Sequence, residues 1–175
     1  SPDGSKMVAS VSYGGQSDLY LLSQDGSKIK NLTNTDADEV SPTFSPDGGK
    51  IAFVSNQAGS PQIYVMSAGG GGMARLTHAG GYNYSPDWGK NGLIVFAGMD
   101  DGASDIFSVT EGGSIKRLTQ DQGFNKDPTW SPDGRYIGFV STRSDGSGIY
   151  IMSADGRYQL LVSKGGGYGN TAWER

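Results

Sequence analysis

Several residue types that common active sites require are scarce or missing. The 175-residue chain has no cysteine, which excludes disulfide scaffolds, thiolate metal sites and cysteine nucleophiles. Its single histidine, His78, falls in a predicted loop, where a lone imidazole is typically a solvated side chain. No Gly-x-Ser-x-Gly elbow of an α/β hydrolase is present. These absences favour a protein that is not an enzyme.

Charge and hydropathy exclude two further classes of partner. The chain carries 14 Lys plus Arg and 18 Asp plus Glu, a formal net charge of −4, and it has no run of basic residues. An acidic chain without a basic patch is not expected to bind nucleic acid. No apolar stretch approaches the roughly 18 residues of a membrane-spanning helix, so we expect no direct membrane insertion.

Two short segments imitate catalytic or cofactor motifs. Ser27–Lys30 matches Ser-x-x-Lys but directly follows a turn at Asp25-Gly26. Gly69–Gly72 is rich in glycine like a phosphate-binding loop, but no Lys-Ser/Thr and no helix follow it. We interpret both as hairpin segments, and the sequence predicts no cofactor.

Glycine is abundant, at 29 positions, and it belongs to a tandem repeat. The tetrapeptide Ser-Pro-Asp-Gly begins at Ser1, Ser45 and Ser131, and Trp88–Gly92 is a degenerate copy. Three other series recur in step: Phe44, Trp88, Trp130 and Trp173; Leu32-Thr33, Leu76-Thr77, Leu118-Thr119 and Leu161-Val162; Leu19-Tyr20, Ile63-Tyr64, Ile106-Phe107 and Ile149-Tyr150. All four series share a period of about 43 residues, which is typical of a repeat architecture.

One repeat predicts four short strands, which in the second copy cover 42–45, 50–55, 62–67 and 74–77. Proline and glycine in Ser-Pro-Asp-Gly suit a tight turn, because proline presets φ and glycine accepts a left-handed backbone. Ile51–Val54 and Ile63–Met66 are apolar on both faces, so both faces must be covered. An identical sheet on each side provides that cover. The sequence therefore predicts an all-β fold, a β-propeller of four-stranded antiparallel blades.

The repeat boundaries divide the single propeller unit 1–175 into about four blades. We place them at 1–41, 42–85, 86–127 and 128–170, with 170–175 as an orphan innermost strand. The terminal strand could complete the opening blade and close a four-bladed ring. Alternatively the chain is a fragment of a larger ring, with open edges that can pair with other chains. We favour the fragment because the chain begins inside a motif.

The repeat resembles a known family. It reads Pro-x-(Trp/Phe)-Ser-Pro-Asp-Gly-x-x-Ile-Ala-Phe, then Ile-Tyr-x-Met, then Arg-Leu-Thr. This pattern is similar to the TolB-type propeller repeat, a relative of the WD repeat that also occurs in tricorn-like and prolyl-oligopeptidase-like proteases. Ser55–Tyr64 and Ala154–Arg157 resemble the TolB proteins of the Tol–Pal system most, whereas Ala172–Arg175 departs from the Trp-Ser-Pro ending of that repeat. The resemblance covers essentially the whole chain.

The resemblance implies the carboxyl-terminal part of a protein in which an α/β domain precedes a six-bladed propeller. It implies a non-enzymatic protein of the Gram-negative periplasm that binds the peptidoglycan-associated lipoprotein Pal, with other Tol proteins as further partners. Such a protein supports outer-membrane integrity and cell division. The alternative is the substrate-gating propeller of a tricorn-like or prolyl-oligopeptidase-like serine protease. Self-association through open blade edges is compatible with both of these functions.

The candidate binding surface lies in the loops that precede each innermost strand, at 34–41, 78–85, 120–127 and 163–170. These loops converge on the rim of the central channel in a propeller. Aromatic anchors among polar neighbours are typical of protein interfaces. The predicted partner-binding residues are Asp38, Glu39, Tyr82, Tyr84, Phe124, Asn125, Lys126 and Tyr168. Some of these rings could instead fold inward between blades, which is where we place the recurring Phe44, Trp88, Trp130 and Trp173.

Acidic residues crowd the first of these loops. Asp36, Asp38 and Glu39 offer the oxygen ligands that calcium prefers, but they lack the spacing of a calcium-binding loop. We therefore favour a solvated acidic loop. The family resemblance adds a precedent for calcium in the central channel.

Overall fold

The computed structural model describes residues 1–100, 102–120, 122–143, 146–165 and 172–173. Its regular elements in these ranges are fifteen β-strands. Within the same ranges there is no helix long and apolar enough to cross a membrane.

The strands form four antiparallel sheets, each a meander in chain order, which we call blades 1 to 4. Blade 1 contains β1 (Lys6–Tyr13), β2 (Gln16–Ser23) and β3 (Lys28–Asn31). Blade 2 contains β4 (Glu39–Phe44), β5 (Lys50–Ser55), β6 (Gln62–Ser67) and β7 (Ala74–Arg75). Blade 3 contains β8 (Tyr82–Trp88), β9 (Ile94–Asp100), β10 (Ala103–Val109) and β11 (Ile115–Arg117). Blade 4 contains β12 (Asn125–Trp130), β13 (Tyr136–Ser141), β14 (Gly148–Ser153) and β15 (Leu160–Lys164).

The hydrophobic core is divided among the three seams between consecutive blades. Ile51 and Phe53 of β5 pack in the cluster shared with blade 1. Ala52 and Val54 of the same strand pack in the cluster shared with blade 3. A third cluster joins blades 3 and 4. The prediction that central strands are covered on both faces is confirmed, and the blades form an open sector of a β-propeller.

Three of the four recurring aromatic residues lie at these seams. Trp88 is 7 % exposed in the seam between blades 2 and 3, and Trp130 is 6 % exposed in the seam between blades 3 and 4. Phe44 packs against the first cluster. The ring of Trp173 lies against Gly138 of blade 4, and its Nε1 donates to the carbonyl of Thr129 at 3.2 Å. The described part of the predicted orphan strand, Ala172 and Trp173, is not in a strand, and residues 170, 171, 174 and 175 lie outside the described residues.

The innermost strands begin earlier than the sequence predicted. β4, β8 and β12 begin at Glu39, Tyr82 and Asn125, whereas we expected starts near 42, 86 and 128. Each strand contains a β-bulge at a residue with positive φ, namely Ser41 (53°), Ser85 (51°) and Asp127 (50°). A proline, which cannot donate to a ladder, follows each of these residues. The bulge accommodates it inside the strand.

Aspartates in the tight turns accept several short hydrogen bonds. In the Ser-Pro-Asp-Gly turn of blade 2, Asp47 Oδ1 accepts from Ser45 Oγ at 2.6 Å and from the amide of Gly49 at 3.0 Å. Gly48, at φ 73°, takes the left-handed position. Asp25 of the β2–β3 turn repeats the arrangement, because it accepts from Ser23 Oγ and from the amide of Ser27.

These turns are expected to weaken in acid. The hydrogen bonds from Ser23 and Ser27 lower the pKa of Asp25 from 3.8 to about 2. Because the folded-state pKa is depressed, the stabilisation is complete above the ordinary value and is lost as the pH falls toward about 2. Asp25→Asn should therefore show a smaller drop in melting temperature than the parent between about pH 5 and pH 2. The exposed control Asp36→Asn should drop as the parent does, and equal drops for all three proteins would contradict the assignment.

Candidate protein-binding surface

The structure divides the predicted binding residues by exposure. Tyr82 is 42 % exposed, whereas Glu39 and Asn125 are fully buried. The partly exposed residues are Asp38, Tyr84, Phe124 and Lys126. Tyr168 lies outside the described residues.

Tyr82 and Tyr84 form an aromatic pair on β8. Their ring centroids are 5.4 Å apart at an interplanar angle of 65°. The Tyr84 hydroxyl lies 3.0 Å from Ser104 Oγ, which fixes the inner ring. Burial, with a smaller effect of the Asp127 charge, raises the pKa of Tyr84. Tyr84 thus forms a neutral, fixed support against which Tyr82 presents its exposed ring.

A polar bridge joins β8 to β12 beside this pair. Ser85 Oγ donates to Asp127 Oδ1 at 3.2 Å, and Lys126 Nζ lies 3.4 Å from Asp127 Oδ2. The Lys126 side chain remains 36 % exposed. The exposed ring of Tyr82 offers apolar area to a protein partner, and the partly exposed ammonium of Lys126 offers charge. Tyr82, Tyr84, Lys126 and Asp127 are called the tyrosine surface below.

Asp38 and Phe124 each fix the connection that precedes an innermost strand, Asp38 through its side chain and Phe124 through its backbone. The carboxylate of Asp38 accepts from the amide of Ser17 at 3.0 Å and from Asn56 Nδ2 at 3.1 Å, which ties blade 1 to blade 2. The amide of Phe124 donates to Thr142 Oγ1 at 2.8 Å. The structure therefore places these two residues on separate connections from the tyrosine surface.

Glu39 and Asn125 are a correction to the sequence-based surface. We expected both on solvent-facing loops, but both begin a strand and are 0 % exposed. Glu39 Oε1 accepts from Thr35 Oγ1 at 2.8 Å and Ser55 Oγ at 2.9 Å. Asn125 Nδ2 donates to Asp105 Oδ1 at 3.1 Å. Because the strands begin earlier, these side chains point into the blade and cannot contact a partner directly.

Asp87 is a residue that the sequence analysis missed. Its Oδ2 accepts from the amide of Trp130 at 2.7 Å and from Thr129 Oγ1 at 3.1 Å, both in blade 4. Its Oδ1 accepts from Thr43 Oγ1 of blade 2 at 3.5 Å. One carboxylate thus joins three innermost strands. The available signal was the phase of Thr43, Asp87 and Thr129, which all stand directly before the recurring aromatic residue.

The histidine and acidic residues that the sequence analysis considered are dispersed in the described ranges. His78 is exposed on the connection between blades 2 and 3. In the ranges that the structure describes, no group of three or more His, Asp or Glu side chains is placed to hold a metal ion. In particular, the Glu39 carboxylate is buried against Ser55 while that of Asp38 is held by Ser17 and Asn56.

Comparison with known proteins identifies a family and several relatives. The family model for the TolB beta propeller domain matches residues 1–105. The Tol-Pal system protein TolB of Anaeromyxobacter dehalogenans (strain 2CP-C) is 48 % identical over 44 residues, which is 25 % of this chain and 10 % of that protein.

Solved structures extend the likeness to nearly the whole chain. A protein assigned as TolB in Agrobacterium tumefaciens is 28 % identical at a TM-score of 0.82, over 94 % of this chain and 60 % of that one. TolB from Acinetobacter baumannii is 26 % identical at a TM-score of 0.77, over 94 % of this chain and 42 % of that one. This chain therefore spans less than two thirds of these proteins. A puromycin hydrolase is 16 % identical at a TM-score of 0.74, over 93 % of this chain and 27 % of that one, and this likeness shows the fold alone.

Proposed function

Because this chain belongs to the TolB beta propeller domain family, we propose that it is the propeller part of a Tol–Pal system protein that binds other proteins and catalyses no reaction. The expected partner is the peptidoglycan-associated lipoprotein Pal, with other Tol proteins as further partners. Such a protein acts in the Gram-negative periplasm and supports outer-membrane integrity and cell division. Pal binding, location and cellular role are parts of this proposal.

The observation that carries the proposal is the tyrosine surface. Tyr82 is exposed over a fixed second ring, and Lys126 adds an accessible charge beside Asp127. Aromatic residues with little conformational freedom lose little entropy when a partner covers them. Asp38 and Phe124 add flanking contacts, and the buried Glu39 and Asn125 hold the strand starts in position.

Truncating Tyr82 should weaken partner binding strongly. We expect Tyr82→Ala to lower the affinity for a purified Pal domain at least about tenfold, because it removes an aromatic anchor. Isothermal titration calorimetry measures the effect. Tyr136→Ala is the matched control, since Tyr136 is 44 % exposed at the start of β13, next to a Ser-Pro-Asp-Gly turn. Equal affinities for the two variants would show that the tyrosine surface does not bind Pal. Absence of binding by the parent would contradict the assignment of Pal as the partner.

A second candidate function is the substrate-gating propeller of a serine protease of the prolyl-oligopeptidase or tricorn type. It rests on the resemblance of the repeat to that of such proteases, because the likeness to a puromycin hydrolase shows the fold alone. The parent gene distinguishes the two candidates, because a gating propeller requires a hydrolase domain in the same protein. The TolB proposal requires an α/β domain before the propeller instead. Self-association is a further proposal, supported by the exposed Leu160 and Val162 of the edge strand β15.

A further inference from the structure

A cavity of about 310 Å³ opens on blade 3 beside the connection from blade 2. Its apolar wall is the stacked pair Phe96 and Phe107, whose centroids are 5.5 Å apart. The space exists because position 98 is glycine. A Cβ there would lie 2.9 Å from Asn83 Oδ1 and equally close to the Phe107 ring.

Asn83 presents a hydrogen-bond acceptor, its side-chain oxygen, to this cavity. The residue is 3 % exposed, and its Nδ2 donates to Gln62 Oε1 at 2.8 Å and to the carbonyl of Ala79 at 3.0 Å. These two bonds fix the amide so that Oδ1 faces Gly98. Among the described residues, no donor reaches Oδ1. The oxygen is accessible from the cavity, so a group that enters the cavity can donate to it.

Blade 4 shows which group fills the corresponding position. The guanidinium carbon of Arg143 lies 5.1 Å from the centroid of the Phe139 ring and 4.7 Å from that of Tyr150. Its Nη2 donates to Asn125 Oδ1 at 3.0 Å, and its Nε donates to Ser141 Oγ at 2.9 Å. The guanidinium is held by an aromatic pair and by the oxygen of an asparagine.

The two blades correspond residue by residue at this position. Asn83 pairs with Gly98 across β8 and β9, as Asn125 pairs with Ser141 across β12 and β13. Phe107 likewise pairs with Phe96, as Tyr150 pairs with Phe139. The residue two positions after Ser141 is Arg143, whereas the residue two positions after Gly98 is Asp100. Blade 3 therefore keeps the aromatic pair and the asparagine oxygen of this guanidinium site. It lacks the hydroxyl of Ser141 and carries an acid where blade 4 supplies the arginine.

The charge of the cavity suits a cation from outside. Asp100 is exposed and lines the opening. Arg117 also lines it, but its Nε donates to the buried Asp105 carboxylate at 3.1 Å, so that these two charges offset each other. The carboxylate of Asp100 is left to attract a positive group.

We propose that the blade 3 cavity binds the guanidinium of an arginine side chain presented by a partner protein, stacked on Phe107 and donating to Asn83 Oδ1. Asp100 supplies the opposing charge at the opening. This inference goes beyond the proposed function, because the site recognises arginine whether or not the partner is Pal.

The test uses capped amino acids, so that only the side chain differs. The protein is titrated with Nα-acetyl-L-argininamide and with the neutral isostere Nα-acetyl-L-citrullinamide, while NMR follows the amide of Gly98 and the rings of Phe96 and Phe107. A lone side chain should bind in the millimolar range. The citrulline compound should bind at least about tenfold more weakly, because cation–π attraction and the contact with Asp100 are lost.

Two variants at Asp100 test the mechanism without touching the core. Asp100→Asn should weaken arginine binding about three- to fivefold, as expected for a partly exposed ion pair. Asp100→Arg should abolish binding, because the introduced side chain can occupy the cavity as Arg143 does in blade 4. Asp36→Asn is the exposed acidic control and should bind as the parent does, and thermal melts confirm that each variant is folded.

Three results would overturn the proposal. These are equal affinities for the arginine and citrulline compounds, unchanged binding in Asp100→Arg, and no shift of the cavity resonances up to about 50 mM ligand. Pal binding is measured separately in the Tyr82 experiment. Failure of the cavity and failure of the proposed function are therefore distinguishable.

Discussion

Replacing Trp130 with alanine is expected to lower the free energy of unfolding by about 3–5 kcal/mol. The indole is 6 % exposed and belongs to the cluster that joins blades 3 and 4. Its ring is packed so closely that a Cβ on Gly89 would lie 2.8 Å from it. Alanine would leave a cavity at a seam between two rigid sheets, where little can collapse to fill it. Urea unfolding followed by circular dichroism measures the loss.

Trp130→Phe is the matched control for this prediction. The indole Nε1 is buried and has no hydrogen-bond partner among the described residues. Phenylalanine removes that unsatisfied donor while keeping most of the ring, so the expected loss is about 1 kcal/mol or less. Similar losses for the alanine and phenylalanine variants would show that ring packing at this seam is not what stabilises blade 4.

Asp87→Ala should destabilise the protein by about 2–4 kcal/mol, because hydrogen bonds to a charged acceptor are stronger than neutral ones. The substitution leaves the amide of Trp130 and the hydroxyl of Thr129 without their acceptor. It also removes the contact to Thr43 in blade 2. Chemical denaturation measures the loss.

The control for Asp87 is Asp36→Ala, which removes an exposed carboxylate and should change the free energy of unfolding by less than about 0.5 kcal/mol. Asp87→Asn should fall between the two, since the amide oxygen can still accept one of the hydrogen bonds. If Asp87→Ala were as stable as the control, the three-blade contact would have no energetic importance.

Most of the fold could be predicted from the sequence because the repeat fixes several features at once. The strand 50–55 was predicted with the bounds of β5, since Ile51–Val54 is apolar on both faces and a Ser-Pro-Asp-Gly turn precedes it. The starts of β4, β8 and β12 were wrong by three or four residues. The positive φ of a serine before proline, as at Ser41, is not a preference that the local sequence reveals.

The candidate site was harder to predict because exposure depends on which side of a strand a residue occupies. Tyr82 and Lys126 keep accessible side chains, but a shift in strand start placed Glu39 and Asn125 inside the blade. The cavity of blade 3 was invisible in the sequence. It depends on glycine at 98, where blade 4 has Ser141. The sequence does not show that Asn83 and Phe107 surround this glycine, so the difference could not be interpreted from the sequence.

The division of the core among separate seams has a mechanical consequence. The hydrophobic clusters join each blade only to the blades beside it. The stabilising free energies of these interfaces are therefore local and add from blade to blade. Blade 1 or blade 4 can unfold locally while blades 2 and 3 stay folded. Amide protons of blades 2 and 3 should then outlast those of blade 1 during slow exchange with deuterated water, which makes the tyrosine-bearing blade one of the two firmest parts of the molecule.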